Sequence, residues 1–168
     1  FFDKTGENFV GLENYVWAFT NPQGFWSIIN TLIWAIFAPI FATVVGLAYA
    51  AFMERARGER LLKVLVFMPF AIAPVSISLI WKFVYDYRQG DQIGTLNAIV
   101  VAFGGQPVPW LDIWPLVNTF CLLFAFVWAQ TGFAMVVLSA AMKAVPVEQL
   151  EAAQLDGTSP WQRFINVT

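Results

Sequence analysis

Ile28–Phe52 reads IINTLIWAIFAPIFATVVGLAYAAF and contains no Asp, Glu, Lys or Arg. A helix of ~20 predominantly apolar residues crosses a hydrocarbon core ~30 Å thick, so this stretch predicts a membrane span. Two further stretches meet the same criterion. Ile113–Met142 is equally free of those four residue types, and its excess length fits a tilted or partly interfacial helix. Val64–Tyr85 carries only Lys82, close enough to its end for the long stem to lift the ammonium to the headgroups. Composition agrees: 59% of the 168 residues are hydrophobic, 17% aromatic and 12% charged, with a mean hydropathy of +0.65. A soluble domain carries charge on about a quarter of its positions. The expected fold class is all-α, a polytopic transmembrane helix bundle.

The charges orient it. Arg55, Arg57, Arg60 and Lys63 crowd the link between the first two spans, whereas the link 86–112 holds Arg88 with Asp86, Asp91 and Asp112. Positive loops stay in the cytoplasm. Segments 53–63 and 143–168 are therefore expected inside, with 1–27 and 86–112 outside. The resulting organisation is an external segment 1–27, a lipid-embedded core 28–142 and a cytoplasmic loop 143–168. Trp26, Trp81, Trp110 and Trp114 fall near the outer boundary, where amphipathic rings prefer to lie; stacking on a sugar is the alternative.

A net charge of −2 gives no reason to invoke nucleic acid. The chain has no His and no Gly-rich GK[ST] loop, so the commonest general base and an ATP-phosphate cradle are both missing. Cys121 is a lone thiol in an apolar span and reads as packing. The chain starts at Phe1 without Met and stops at Thr168 inside a helical pattern, as a piece of a longer protein would.

Small residues recur every four positions at Ala38, Ala42, Gly46 and Ala50, a face on which another helix backbone can approach closely. Pro69 and Pro74 each remove a backbone donor from the second span; they either shape a cavity or are simply tolerated in a bundle. Asn118, Thr119, Gln130 and Thr131 are polar positions in the third span. They serve as interhelical hydrogen bonds worth ~0.6–2 kcal/mol, or Asn118, Gln130 and Thr131 line a substrate pathway.

The stretch EQLEAAQLDGTSPWQRFINVT, Glu148–Thr168, is soluble in character. Pro146 suits a first helical turn, Glu148 and Glu151 complement the positive helix end, and Gly157 can adopt the left-handed conformation that closes it. Ser159 then offers an N-cap, Pro160 a first helical position and Gln162 the partner of a capping box. Trp161, Phe164, Ile165 and Thr168 continue with i, i+3, i+4, i+7 spacing. Two short helices joined at a glycine make a protrusion able to fill a groove on a partner, or an ordinary hairpin capping the bundle.

Here the chain resembles the carbohydrate-type permease subunits of binding-protein-dependent ABC importers, whose shared cytoplasmic loop reads EAA, three positions, Gly, nine positions, Ile, one position, Leu-Pro. Glu151-Ala152-Ala153 and Gly157 match, Asp156 precedes the glycine as is common in that family, and Val167 takes the Ile position. Phe9-Val10-Gly11-Leu12-Glu13-Asn14-Tyr15 is similar to the family's FxGLxNY segment, and Asn30-Thr31-Leu32 to its NTL. Pro69, Trp81 and Gly94-Thr95-Leu96-Asn97 resemble its proline span, tryptophan end and outer loop. The resemblance covers nearly the whole chain, and glycerol-phosphate permeases share it.

What the resemblance implies is a fragment of the ABC importer permease fold, in a bacterial or archaeal inner membrane. A coupling helix, comprising Glu148, Glu151, Ala152, Ala153, Asp156, Gly157 and Val167, would seat in a cleft of an ATP-hydrolysing subunit. Glu151 would anchor it, the alanines would permit close approach, and Gly157 would supply the turn. The implied partners are a second permease subunit, two ATP-binding subunits, an external solute-binding protein and a sugar-like solute. ATP and Mg would be used by the partner and no cofactor held by this chain, which is not itself an enzyme. A membrane scaffold recruiting a cytoplasmic protein is the alternative. A membrane-embedded enzyme would need convergent ionisable groups that the spans lack.

Overall fold

The computed structural model describes residues 9–54, 56–88 and 93–166. Among them the regular structure is helical, without a strand: α1 (Glu13–Thr20), α2 (Pro22–Met53), α3 (Glu59–Phe67) followed by a single tighter turn (Met68–Ala71), α4 (Pro74–Val84), α5 (Thr95–Ala102), α6 (Val117–Lys143), α7 (Val147–Leu155) and α8 (Pro160–Asn166). Two compact units are present. One comprises Phe1–Ile40 and Ser78–Phe126, the other Phe41–Ile77 and Val127–Thr168, and α2, α4 and α6 contribute residues to both.

Helices α2 and α6 are each long and apolar enough to cross a membrane. The start of α2 lies ahead of Ile28 because Asn21 caps it, its side-chain oxygen accepting the Gln23 N–H at 2.9 Å, while Pro22 takes the first helical position. Along α2, Ala38, Ala42, Gly46 and Ala50 are all buried. Two positions away, Leu32, Ile36, Ile40 and Val44 form an exposed apolar row at the same four-residue spacing. Such a row on a soluble protein would be an aggregation surface; a membrane-embedded helix can carry it.

The stretch between them is bent. The chain turns by 98° between Glu59–Ala71 and α4, so Val64–Tyr85 is not one straight helix but a bent pair, with the shape of a broken span or a re-entrant loop. Its prolines account for the break. Pro74 has no N–H with which to continue the ladder and disfavours helical geometry in the residue before it. Ile72 is extended (φ −81°, ψ 137°), and its N–H closes the turn on the Pro69 carbonyl at 3.2 Å.

In the first unit, α2 and α6 meet through Trp34–Phe126 and Phe37–Phe120, both edge-to-face, and through the Thr119 hydroxyl, 2.9 Å from the Asn30 side-chain oxygen. Trp81 packs on Phe124 and Tyr85, whose hydroxyl donates to the Cys121 carbonyl at 3.0 Å. The segment joining α4 to α6 is organised around Asn97, which is fully buried. Its amide donates to the carbonyls of Asp86 and Val108, and its oxygen accepts the Val108 N–H and the Trp110 indole N–H, all at 2.9–3.0 Å. Trp110 is thereby held in place by a hydrogen bond.

In the second unit two glycines set the spacing. A Cβ on Gly46 would come within 2.6 Å of Ala134 Cβ, and one on Gly132 within 2.7 Å of Phe67 Cα and closer still to the Val66 carbonyl oxygen. Helix α2 thus lies directly on α6, and α6 on α3. Ala50, Met53 and Met135 fill the space beneath, flanked by Leu62, Val66, Leu138 and Met142, and Phe70 stacks on Phe133 at 5.1 Å.

Replacing Asn97 with Ala leaves the Val108 N–H and the Trp110 indole N–H without their acceptor, at about 1–3 kcal/mol for each buried polar group orphaned, while the Asp86 and Val108 carbonyls keep the N–H groups of Gly94 and Trp110. Hydrogen exchange at the Val108 amide is expected to accelerate at least about tenfold in Asn97→Ala; unchanged protection would show that Asn97 does not hold the segment.

Candidate functional site: the elbow after α6

No free linker separates α6 from α7. The Ala144 N–H donates to the carbonyls of Ala140 and Ala141, both at 3.1 Å, and the Gln149 N–H donates back to Pro146 at 3.1 Å. Pro146 is extended (φ −59°, ψ 137°) and caps α7, one position ahead of the first helical turn expected for it. Glu148 lies in the first turn and complements the exposed N–H groups there, while Glu151 lies beyond it.

Helix α7 ends at a left-handed glycine. Gly157 has φ +78°; its N–H donates to the Gln154 carbonyl at 3.1 Å and the Thr158 N–H to the Ala153 carbonyl at 3.2 Å. This overlapping pair satisfies the terminal carbonyls of α7, and the Thr158 hydroxyl adds a second bond to Ala153 at 2.5 Å. Two residues later the Ser159 N–H donates to Gln162 Oε1 at 2.8 Å and the Gln162 N–H to Ser159 Oγ at 3.2 Å, a complete capping box for α8. Arg163 ties the two helices together from Nη1 to Gln154 Oε1 at 3.3 Å. Trp161 stacks on Phe164.

These bonds divide α7 into two faces. Glu148, Glu151 and Ala152 are exposed together with Val147, and Leu155 stands 90% exposed at the tip, with Asp156 beside it. Ala153 is half-buried, so the two alanines occupy different environments. Leu150 turns inward to a groove of about 830 Å³ shared with Phe52, Met142, Trp161 and Phe164. Leu155 was not singled out from the sequence, although it follows Glu151 by one helical turn. Val167 lies outside the described residues.

The polar positions of α6 fall in different settings. Asn118, half-buried in the first unit, accepts the Thr119 N–H on its side-chain oxygen at 2.7 Å. Thr131 is buried in the second unit and returns its hydroxyl to the Val127 carbonyl of its own helix at 2.7 Å; Gln130 beside it is half-buried. The Thr131 hydroxyl is thus committed locally rather than to a neighbouring helix.

A charged cluster that sequence reasoning missed lies next to the root of the elbow. Glu59 Oε1, one turn ahead of the apolar run that starts at Val64, accepts Lys143 Nζ at 2.5 Å and Lys63 Nζ at 2.7 Å. Lys63 also donates to the buried Ser139 hydroxyl on α6. Lys143 and Lys63 hold the Glu59 carboxyl well below the usual carboxylate range. The i, i+4 spacing of Glu59 and Lys63 was visible; the partner 84 residues away was not.

Helices long and apolar enough to cross a membrane, a bent helix pair and an exposed elbow on two short helices describe a membrane-embedded helical protein. Residues 42–168 match the profile of the family described as binding-protein-dependent transport system inner membrane component, and the chain belongs to that family. It is 46% identical over 166 residues to the alpha-glucoside transport system permease protein AglF of Rhizobium meliloti, covering 98% of this chain and 49% of that protein. It is 44% identical to the osmoprotective compounds uptake permease protein GgtC of Synechocystis, covering all of this chain and 61% of the relative. A third relative, the trehalose/maltose transport system permease protein MalF of Thermococcus litoralis, is 31% identical over 95% of this chain and 53% of its own length. The chain therefore spans about half the length of these relatives. The fold matches a chain of a bacterial ABC transporter involved in the import of the acidic polysaccharide alginate, with a TM-score of 0.75 at 21% identity over 96% of this chain and 56% of that one.

No atom lies within 4 Å of where a Gly157 Cβ would stand, so a side chain there meets backbone strain rather than collision. Gly157→Val is expected to cost roughly 1–2 kcal/mol at the turn. Hydrogen exchange at the Thr158 amide should rise about tenfold in Gly157→Val and much less in Gly157→Asn, which tolerates a left-handed backbone. Equal effects of the two substitutions would contradict the assigned turn.

Proposed function

We propose that this chain is part of a permease subunit in an ATP-driven importer of a sugar or sugar-like solute. The observation that carries the reading is the hydrogen-bonded elbow of α7 and α8. It offers Glu148, Glu151, Ala152 and Leu155 on one exposed face, in a chain of the inner-membrane transport-component family. A small-residue and carboxylate face with a leucine at its tip suits a groove on a second protein, where the apolar tip buries area and the carboxylates set register.

The solute class follows from the relatives, named for alpha-glucoside, for trehalose/maltose and, at lower identity, for sn-glycerol-3-phosphate transport. In this reading the elbow lies in the cytoplasm of a bacterial or archaeal cell, consistent with the positive link that contains Arg57, Arg60 and Lys63. A separate subunit binds ATP and Mg²⁺ and hydrolyses the nucleotide. Two such subunits engage two permease subunits, and an external binding protein delivers the solute. Asn118, Gln130 and Thr131 are proposed to border its path. Closure of the ATP-binding pair moves the elbow, and the elbow moves the ends of the membrane helices.

Vesicles containing the intact complex are expected to accumulate a radiolabelled disaccharide, polyol or glycerol phosphate only with ATP and binding protein present. Recruitment of the ATPase without ATP-dependent uptake of any of these would favour a scaffold instead. Glu151→Lys places a cation where a carboxylate meets the partner and is expected to weaken ATPase co-purification roughly tenfold; unchanged co-purification would remove Glu151 from the interface.

A further inference from the structure

Resting on the transport reading above, we propose that Glu59, with Lys143 and Lys63, is the latch that passes movement of the elbow to the bent span. Glu59 is a positioning residue: it touches neither solute nor nucleotide, and acts by holding two helix ends together.

The geometry of the second unit carries this. Lys143 is the last residue of α6, and only Ala144, Val145 and Pro146 separate it from α7, the first two bonded back to α6 and Pro146 bonded to Gln149 of α7, so displacement of α7 reaches Lys143 through a three-residue link. Glu59 is the first residue of α3, and one of its carboxylate oxygens is shared by Lys143 of α6 and Lys63 of α3. Lys63 closes the ring by donating to Ser139, one turn before Lys143 on α6. One ion pair, Glu59–Lys143, and one hydrogen bond, from Lys63 to the Ser139 hydroxyl, therefore join the start of α3 to the end of α6, and the Glu59–Lys63 pair braces them within α3. Further along, Gly132 presses α6 against the Val66 and Phe67 backbone, directly before the turn at Met68–Ala71 and the 98° bend. Helix α3 is gripped at both ends by α6 and leads into the break at Pro74. The cluster is partly solvent-exposed, so it contributes little to folding stability and is free to serve coupling.

A simple stabilising contact and a latch make different predictions for stoichiometry. In the intact, reconstituted complex, with a radiolabelled disaccharide, polyol or glycerol phosphate that the wild type accumulates, Glu59→Gln is expected to assemble with its ATPase and retain basal ATP hydrolysis. Solute taken up per ATP hydrolysed should fall at least about tenfold. Exchange of the charges in Glu59→Lys with Lys143→Glu places an anion on α6 between two lysines of α3, and is expected to restore the ratio to within about threefold of wild type. A Glu59→Gln complex with the wild-type ratio, or a charge exchange that restores nothing, would overturn the latch while leaving the transport reading in place. Failure of the wild-type complex to accumulate any of these solutes would overturn both.

Discussion

Close backbone approach at Gly46 and Gly132 is the constraint on which the second unit depends. Lipid tails are as apolar as leucine, so helices in a bilayer gain little by hiding apolar side chains from their surroundings and associate through tight packing and polar contacts. With no Cβ at either position, α2 rests on α6 beside Ala134, and α6 rests on α3 at Val66 and Phe67. The bulky side chains are left to the outside, where Val44 of α2 stands exposed, or to the small cluster around Ala50, Met53 and Met135. Packing of this kind is intolerant of displacement, because a small shift of one helix must move its neighbour.

That rigidity gives the elbow its meaning. The turn at Gly157 and the capping box at Ser159 and Gln162 satisfy the backbone of two short helices by local bonds, so α7 and α8 keep their geometry without a large core. Helix α7 can then leave an entire face, from Glu148 to Leu155, without an intramolecular partner surface. Its inner face, through Leu150 and Ala153, belongs to the fold. That inner side is only half-buried, while the outer side stands exposed.

Local features were the most legible in the sequence. The glycine turn and the capping box depend on residues within a few positions of one another, and Gly157, Ser159 and Gln162 stand in the structure where their chemistry requires. Spans were legible as lengths of apolar sequence, although the Asn21 cap moved the start of α2 and the prolines divided the middle span. Pro69 and Pro74 announced a disturbance without its angle. Long-range polar contacts were illegible. Asn97 satisfies groups at Asp86, Val108 and Trp110, and Glu59 reaches Lys143, and nothing in the local pattern of either residue distinguishes these from solvated side chains. Ala152 and Ala153 read as a pair because a motif is written in a line; a helix places them about 100° apart.

The central claim is that the outer face of α7 meets an ATP-hydrolysing subunit on the cytoplasmic side. The most direct test labels Leu155→Cys, in a Cys121→Ser background of the full-length subunit, with a membrane-impermeant maleimide. The account predicts labelling in inside-out vesicles stripped of the ATPase, protection when that subunit is added back, and none in intact cells. Labelling of intact cells, or labelling of vesicles that the ATPase leaves unchanged, would contradict it.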